Sequence, residues 1–373
     1  MNRFDDWVDG QLDSIRAHDQ WRSLRTFDAC GPSGQLDGRD VLSFASNDYL
    51  GLSHHERVVG AAHAAIDKWG VGATSSRHVV GTRPIHDELE AGLARWKHTE
   101  RAVAFSSGFA ANLGVLATFG GPDCLIVSDE LNHASIIDGC RLSRSKVSIA
   151  RHNDVSHVAE LLSNRTETRA IVVADAVFSM DGDEAPVRDL ATVCVEHGAL
   201  LVLDEAHSVF GPDLAELSAM AELSLLRVVT LSKSLGSMGG AVCGSQKHID
   251  LLVNRCRPLI FSTGLSPADA AAAAASIEVI TSPEGEALIE HTRHLTQQLA
   301  PGHPSPIVAV MVGSEADALH ASQTLLDEGI LVPAIRPPTV ALGTARLRVA
   351  LCADHTVGDV ERLSEALNRL GLQ

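Results

Sequence analysis

Lysine is scarce in this chain. Its 373 residues hold five, at positions 68, 97, 146, 233 and 247. Any chemistry that needs an amine therefore has few places to occur. No Gly-Lys dipeptide exists, which excludes a phosphate-cradling G-x-x-x-x-G-K-[ST] loop. The seven cysteines show no C-x-x-C spacing and leave one odd. They read as small buried residues of a reducing compartment, and no metal ligation is expected. The eighteen histidines are scattered, with no H-E-x-x-H. No apolar run approaches the length of a membrane span, and the start Met-Asn-Arg-Phe-Asp-Asp-Trp lacks the apolar core of a signal peptide. A cytoplasmic protein with no membrane partner is the expectation. Positive charge is also lacking: the net charge of -17 argues against a nucleic-acid track.

What is present is an alternation. Residues 1 to about 25 predict an amphipathic helix, with Phe4, Val8, Leu12 and Ile15 near helical spacing. A Gly/Pro/Asp-rich connection, Cys30 to Asp40, precedes a short strand at Val41–Ala45. From about 58 to 270, apolar strand candidates alternate with helices. They are Ala102–Phe105, Leu125–Val127, Val147–Ala150, Ala170–Ala174, Leu200–Leu203, Val228–Leu231 and Ala241–Cys243. Such runs imply an α/β fold whose mainly parallel sheet is covered on both faces. After Ser266-Pro267 comes an Ala-rich helix. Beyond it lie strand Ile307–Val312, helix Glu315–Glu328, strand-like Leu331–Ile335, strand Leu347–Leu351 and helix Val357–Leu370. The expected organisation is an N-terminal helix and arm over 1–45, a large domain over 46–270, and a smaller α+β C-terminal domain over 271–373.

Chemistry gathers where strands end. Asp204 closes Leu200–Leu203, and Lys233 lies in the Ser/Gly turn Leu231–Gly240 between two apolar strands. Lys68 and Lys97 fall instead in polar, helix-like segments, and Lys146 and Lys247 in loops. A carboxylate and an amine at one sheet edge, where open α/β folds place ligands, match the needs of pyridoxal phosphate (PLP): a lysine for the Schiff base and an acid for the pyridine nitrogen. Asp204-Glu-Ala-His207 also spells a helicase motif, but the missing Gly-Lys and the acidic charge dispose of that rival.

Other strand ends agree. Ser106-Ser107-Gly108-Phe109 opens a helix near Ala110, and helix N-terminal N–H groups can seat a phosphate. Asn132-His133-Ala134-Ser135 follows Leu125–Val127; a lone histidine there is by default a helix cap, yet its edge position suits a role against a cofactor ring. Phe178-Ser179-Met180-Asp181-Gly182 follows Ala170–Ala174 and reads as a turn.

With Ser46-Asn47-Asp48-Tyr49-Leu50-Gly51-Leu52, Ser107 to Asn112, Asn132 to Ser135, Val177 to Gly182, Asp204 to His207 and Thr230 to Gly236, the chain resembles the α-oxoamine synthases over nearly its whole length. These are fold-type-I PLP-dependent transferases. The segments Ala334-Ile335-Arg336-Pro337-Pro338-Thr339-Val340 and Gly343 to Arg348 look like the 8-amino-7-oxononanoate-forming branch of biotin biosynthesis. The resemblance implies a homodimeric C-acyltransferase that condenses L-alanine with a pimeloyl thioester, on CoA or acyl carrier protein, with loss of carbon dioxide. Rival expectations are glycine with acetyl-CoA, as in 2-amino-3-oxobutyrate CoA ligase, and a non-catalytic PLP-fold binding protein.

The resemblance also implies roles. Lys233 matches the Schiff-base lysine and Cα base, Asp204 the partner of the pyridine nitrogen, and His133 the residue stacked on the ring. Ser179 and His207 match contacts near the phenolate oxygen, and Gly108, Phe109 and Thr230 the phosphate region. Arg348 resembles the arginine that grips the amino-acid carboxylate, with Arg346 its competitor on the same strand face. Asn47, His133, Arg336 and Thr339 fall in the substrate region. Arg22 or Arg25 takes the N-terminal substrate contact.

Overall fold

The computed structural model describes every residue except 1, 2, 18, 19, 213 and 221. The chain divides into two compact units: residues 46–309 with 350–364, and residues 1–45 with 310–349 and 365–373.

The larger unit is built on a seven-stranded sheet. Its strands in chain order are β1 (Arg101–Phe105), β2 (Cys124–Asp129), β3 (Lys146–Ala150), β4 (Arg169–Asp175), β5 (Leu200–Asp204), β6 (Ser224–Thr230) and β7 (Gly240–Gly244). Their order across the sheet is β1-β7-β6-β5-β4-β2-β3. All seven predicted strands are present. β6, β5, β4, β2 and β3 run parallel, whereas β7 is antiparallel to both β1 and β6. The β6–β7 link, residues 231–239, is too short for the dozen or more residues of a parallel crossover, so the chain turns back as a hairpin.

Period-two alternation buries both faces. In β4, Val172 and Ala174 join a core with Leu201 and Leu203 of β5 under helices Val155–Ser163 and Val187–His197. Ile171 and Val173 point the other way, into a core shared with Val115, Ile136 and Val202. The compositional change at Ser266-Pro267 marks the start of helix Pro267–Ile280, which is capped by Ser266. That helix packs inside this unit against helices Glu56–Trp69 and Pro84–Trp96. Its small alanines permit the close approach: Ala270, Ala271 and Ala273 are buried with Leu89 and Leu93.

The smaller unit starts with helix Arg3–Ala17, none of whose residues is buried. The helix predicted to about residue 25 is described to Ala17, and among the described residues no regular element follows until Phe27–Asp28. A short helix gains most of its stability from burying one face, and this one buries none. Strand Arg39–Ser43 pairs with Ser33–Leu36 and, in parallel, with Ile330–Leu331. Ala334–Ile335 pairs instead with the strand Ala345–Ala350. The single strand predicted over Leu331–Ile335 is therefore two short pieces in different sheets. The break coincides with Val332-Pro333, since a proline has no N–H for a ladder.

Candidate active site

Because β1 is parallel to β6, the chain leaves β1, β2, β4, β5 and β6 at one edge of the sheet. The edge register is tight: Asp175 is paired with Asp204, Asp204 with Val228, and Gly240 with both Thr230 and Phe105. Every residue that the sequence marks in the larger unit lies in the segments leaving this edge or in the loop that carries Asn47 and Tyr49.

Lys233 sits in the β6–β7 turn, which is closed by the Gly236 N–H to the Lys233 carbonyl at 2.8 Å. Gly236 has φ of 57°, and a Cβ there would lie 2.2 Å from the Ser53 backbone nitrogen, so only glycine fits. The Lys233 Nζ lies 2.7 Å from His207 Nε2. On the far side of the ring, His207 Nδ1 is 2.6 Å from the hydroxyl of Tyr49, the chain's single tyrosine. That hydroxyl donates to Asn47 Oδ1 at 2.9 Å. Four residues from three segments thus form one hydrogen-bonded row ending on the amine.

Asp204 is 5% exposed. Its Oδ2 accepts from the Asn112 amide at 2.6 Å and its Oδ1 from the Ala206 N–H at 2.9 Å. Among the described residues no ion pair neutralises it. Beside it, the Asp175 carboxyl is pushed well above the usual range by burial and then by the Asp204 charge. Asp175 accepts the backbone N–H of His133 at 2.8 Å. His133 caps helix Ala134–Ser143 with its own ring, so the default expectation for a lone histidine holds. Burial holds His133 below the ordinary imidazole value, assisted by Lys233 and opposed by Asp204.

At the end of β1, Ser107 caps helix Gly108–Phe119 by accepting the Ala110 N–H at 3.0 Å. The helix starts at Gly108, against an expected start near Ala110. A Cβ on Gly108 would stand 3.3 Å from Thr230 Cβ, and one on Gly240 would stand 2.4 Å from the Gly108 nitrogen. Bare backbone is needed where β6, β7 and the helix meet. Thr230 Oγ1 and Ser232 Oγ lie 2.8 Å apart there. Phe109 meets His133 edge-on at 6.3 Å between ring centroids. Ser179 is half-buried in the turn after β4, where the Gly182 N–H reaches the Phe178 carbonyl at 2.8 Å.

The remaining predicted residues belong to the smaller unit. Arg22 donates to Thr339 Oγ1 at 3.4 Å, and Arg336 to the Trp21 carbonyl at 3.1 Å, so these three are brought together. Arg25 is turned to Asp37 at 2.7 Å. Arg346 and Arg348 are both buried on Ala345–Ala350, two residues apart. Arg346 Nε donates to the Thr344 carbonyl at 3.0 Å.

Tyr49, Asn112, Ser135 and Asp175 received no role from the sequence. The first three stand inside its motif blocks, and Asp175 ends a strand just as Asp204 does. Lys97 departs from expectation outright. It is 6% exposed, and its Nζ is 2.8 Å from Glu205 Oε2. Arg227 binds the same carboxylate through Nη2 at 2.9 Å and also through Nε. Burial raises the pKa of Glu205, but the charges of Lys97 and Arg227 overcome this and bring it down to about 2.

These groups fit PLP. Among the described residues no ion pair meets the buried Asp204 carboxylate, which leaves it to answer a protonated pyridine nitrogen. Lys233 supplies the amine. The start of helix Gly108–Phe119, with the hydroxyls of Thr230 and Ser232, supplies an anion seat.

The aminotransferase class I and II family matches residues 39–367. A protein of Anaeromyxobacter dehalogenans named 8-amino-7-oxononanoate synthase is 43% identical over 97% of this chain and 94% of its own. One of the same name from Mycobacterium sp. (strain JLS) is 42% identical over 97% and 95%. The solved structure of a serine palmitoyltransferase from S. paucimobilis with bound PLP–myriocin superposes with a TM-score of 0.90 at 29% identity, covering 99% of this chain and 98% of that one.

Proposed function

The chain belongs to the aminotransferase class I and II family, and on that premise we propose that it is a PLP-dependent C-acyltransferase, an 8-amino-7-oxononanoate synthase. Its substrates are then L-alanine and a pimeloyl thioester. The observation that carries this reading is the pairing of Lys233 with the uncompensated Asp204 at neighbouring strand ends. The greater identity to synthases of that name than to the serine palmitoyltransferase favours this substrate pair over others.

Bound PLP supplies an electron sink conjugated to the amino acid's Cα. Asp204 would hold the pyridine nitrogen protonated, His133 would lie against the ring, and Ser179 and His207 would serve its phenolate edge. Gly108, Phe109 and Thr230 would hold the phosphate. Lys233 takes the Cα proton of alanine and works as a base only as the neutral amine; His207 Nε2, 2.7 Å away, accepts one of its N–H bonds. A bond then forms from Cα to the thioester carbonyl carbon, and the C–S bond breaks to release the thiol. The bond from Cα to the alanine carboxyl breaks to release carbon dioxide, and Cα is reprotonated. Arg348 grips the alanine carboxylate through paired N–H donors. Arg336 and Thr339 serve the acyl substrate, and Asn47, His133 and Arg22 are further substrate contacts. The working form is a cytoplasmic homodimer. Among the described residues no helix is long and apolar enough to cross a membrane.

The test is product formation by the purified, PLP-supplemented protein. Alanine with pimeloyl-CoA or pimeloyl carrier protein should release carbon dioxide and give 8-amino-7-oxononanoate by mass spectrometry. Preference for glycine with acetyl-CoA would move the protein to another branch. Neither turnover nor a visible absorbance band would leave only a binding protein.

A further inference from the structure

Two buried side chains that no role above uses connect His133 to Asp204. Asn112, 1% exposed, projects from helix Gly108–Phe119, and Ser135, 0% exposed, from the adjoining helix Ala134–Ser143. The amide nitrogen of Asn112 donates to Asp204 Oδ2 at 2.6 Å and to Ser135 Oγ at 2.9 Å. An amide nitrogen has two N–H bonds, and both are used. Ser135 Oγ is thereby an acceptor toward Asn112, and its own single proton is left for His133 Nδ1, 2.7 Å away. The Ser135 backbone N–H points at the same nitrogen from 3.2 Å. A hydrogen on Nδ1 could donate to Ser135 Oγ in turn, but it would forfeit the backbone N–H and send the Ser135 proton elsewhere; only a bare Nδ1 accepts from both donors.

We propose that Asn112 and Ser135 are positioning residues that couple His133 to Asp204, fixing His133 as the neutral tautomer with its proton on Nε2 and Asp204 as an ionised acceptor. The charged neighbours are consistent with this. Burial and Lys233 disfavour an imidazolium and outweigh the pull of Asp204. Asp175, which holds the His133 backbone N–H, is itself pushed toward its neutral form. The ring that faces the cofactor therefore brings no positive charge to compete with the pyridine nitrogen for Asp204. The inference deepens the PLP reading and rests on it for its catalytic meaning, although the hydrogen-bond chain belongs to the protein alone.

The test is nitrogen NMR of protein labelled with 15N-histidine, with the His133 signals assigned by their loss in His133→Asn. In the wild type the shifts should show a bare Nδ1 and a protonated Nε2 at neutral pH. Ser135→Ala removes one donor and should raise the pH at which His133 titrates, while Ser135→Thr restores the hydroxyl and the wild-type titration. Asn112→Leu should raise that pH further. It should also lower kcat about tenfold, the scale of one hydrogen bond to a charged group, with KM for the thioester little changed. A wild-type His133 with its proton on Nδ1, or a titration unmoved by both Ser135→Ala and Asn112→Leu, overturns the proposal. If the tautomer is as stated but no cofactor binds, the PLP reading fails and the coupling stands.

Discussion

Asp204 and Glu205 are consecutive carboxylates at one strand end, both buried, and they live in opposite electrostatic worlds. Alternation along the strand sends them to opposite faces of the sheet. Glu205 meets Lys97 and Arg227 and is fully paired. Asp204 meets the amides of Asn112 and Ala206. Amide donors hold an anion in place without cancelling its charge, so Asp204 keeps a charge for a ligand to answer. The ion triad across the sheet spends its charge internally and ties the Lys97 turn to β5 and β6. Burial alone therefore does not mark a functional acid; burial without a countercharge does.

The comparison can be broken in several ways. The largest effect is expected on the Asp204 face. Lys233→Ala should abolish the visible band and cut turnover by roughly 10²–10⁴-fold while the protein stays folded. Borohydride trapping of the cofactor on any other lysine, located by peptide mapping, would remove Lys233 from the site. Asp204→Asn should slow exchange of alanine's Cα proton in deuterium oxide by about 10²–10³-fold, with little change in stability.

Across the sheet the pattern should invert. Glu205→Gln leaves Lys97 and Arg227 buried without their partner and should cost about 3–5 kcal/mol of stability in denaturant titration, with cofactor binding largely kept. The acid dependence follows from the same contact. A folded pKa of about 2 against an ordinary 4.5 gives stability that is fully present above 4.5. It is lost as pH falls from there through 2, by about 3 kcal/mol. Glu205→Gln should lack that acid-dependent loss. If Asp204→Asn unfolds the protein and Glu205→Gln only slows it, the two roles are exchanged.

A smaller effect is expected on the arginine strand. Arg348→Lys should weaken alanine binding about tenfold, since lysine cannot reproduce a two-pronged grip. Arg346→Lys should weaken it less, because its Nε is already given to the Thr344 carbonyl. Alanine titrations followed by the spectral change of the bound cofactor decide it, and the reverse order would put the carboxylate on Arg346.

The smallest effect belongs to His152, which lies between Asp129 and Asp183 at 3.0 and 2.8 Å. These hydrogen bonds raise its pKa to about 10. Because the folded value is raised above 6.5, its contribution to stability is complete below that pH and fades as pH rises through 10. His152→Gln should flatten this alkaline part of a melting-temperature profile by a few degrees at most, since the ring is partly solvated. A profile identical to the wild type would show that the cluster contributes nothing.

How far the sequence reaches is visible residue by residue. Apolar runs locate the inner strands because a strand buried on both faces must be continuously apolar, whereas the edge strand β3 is apolar with Val147 and Ile149 exposed. Lys233 stands out because lysines are few and only one lies in a small-residue turn. The environment of Lys97 was hidden: its segment is locally polar, and the partner that buries it is 108 residues away. Asn112 was equally hidden, its contact to Asp204 spanning 92 residues.

The sequence by itself determined the α/β class, the strand positions, the chemical types collected at strand ends and the family. Each of these is written in local pattern: period, turn residues and short motifs. Tertiary structure alone decided that β7 is inserted between β1 and β6, that Ile330–Leu331 and Ala334–Ile335 part into different sheets, and that Glu205 is paired with cations while Asp204 is not. The physical reason is that a charge is defined by what surrounds it. The surroundings of both carboxylates are assembled from helices and turns distant in the chain, which only the packed sheet brings within hydrogen-bond reach.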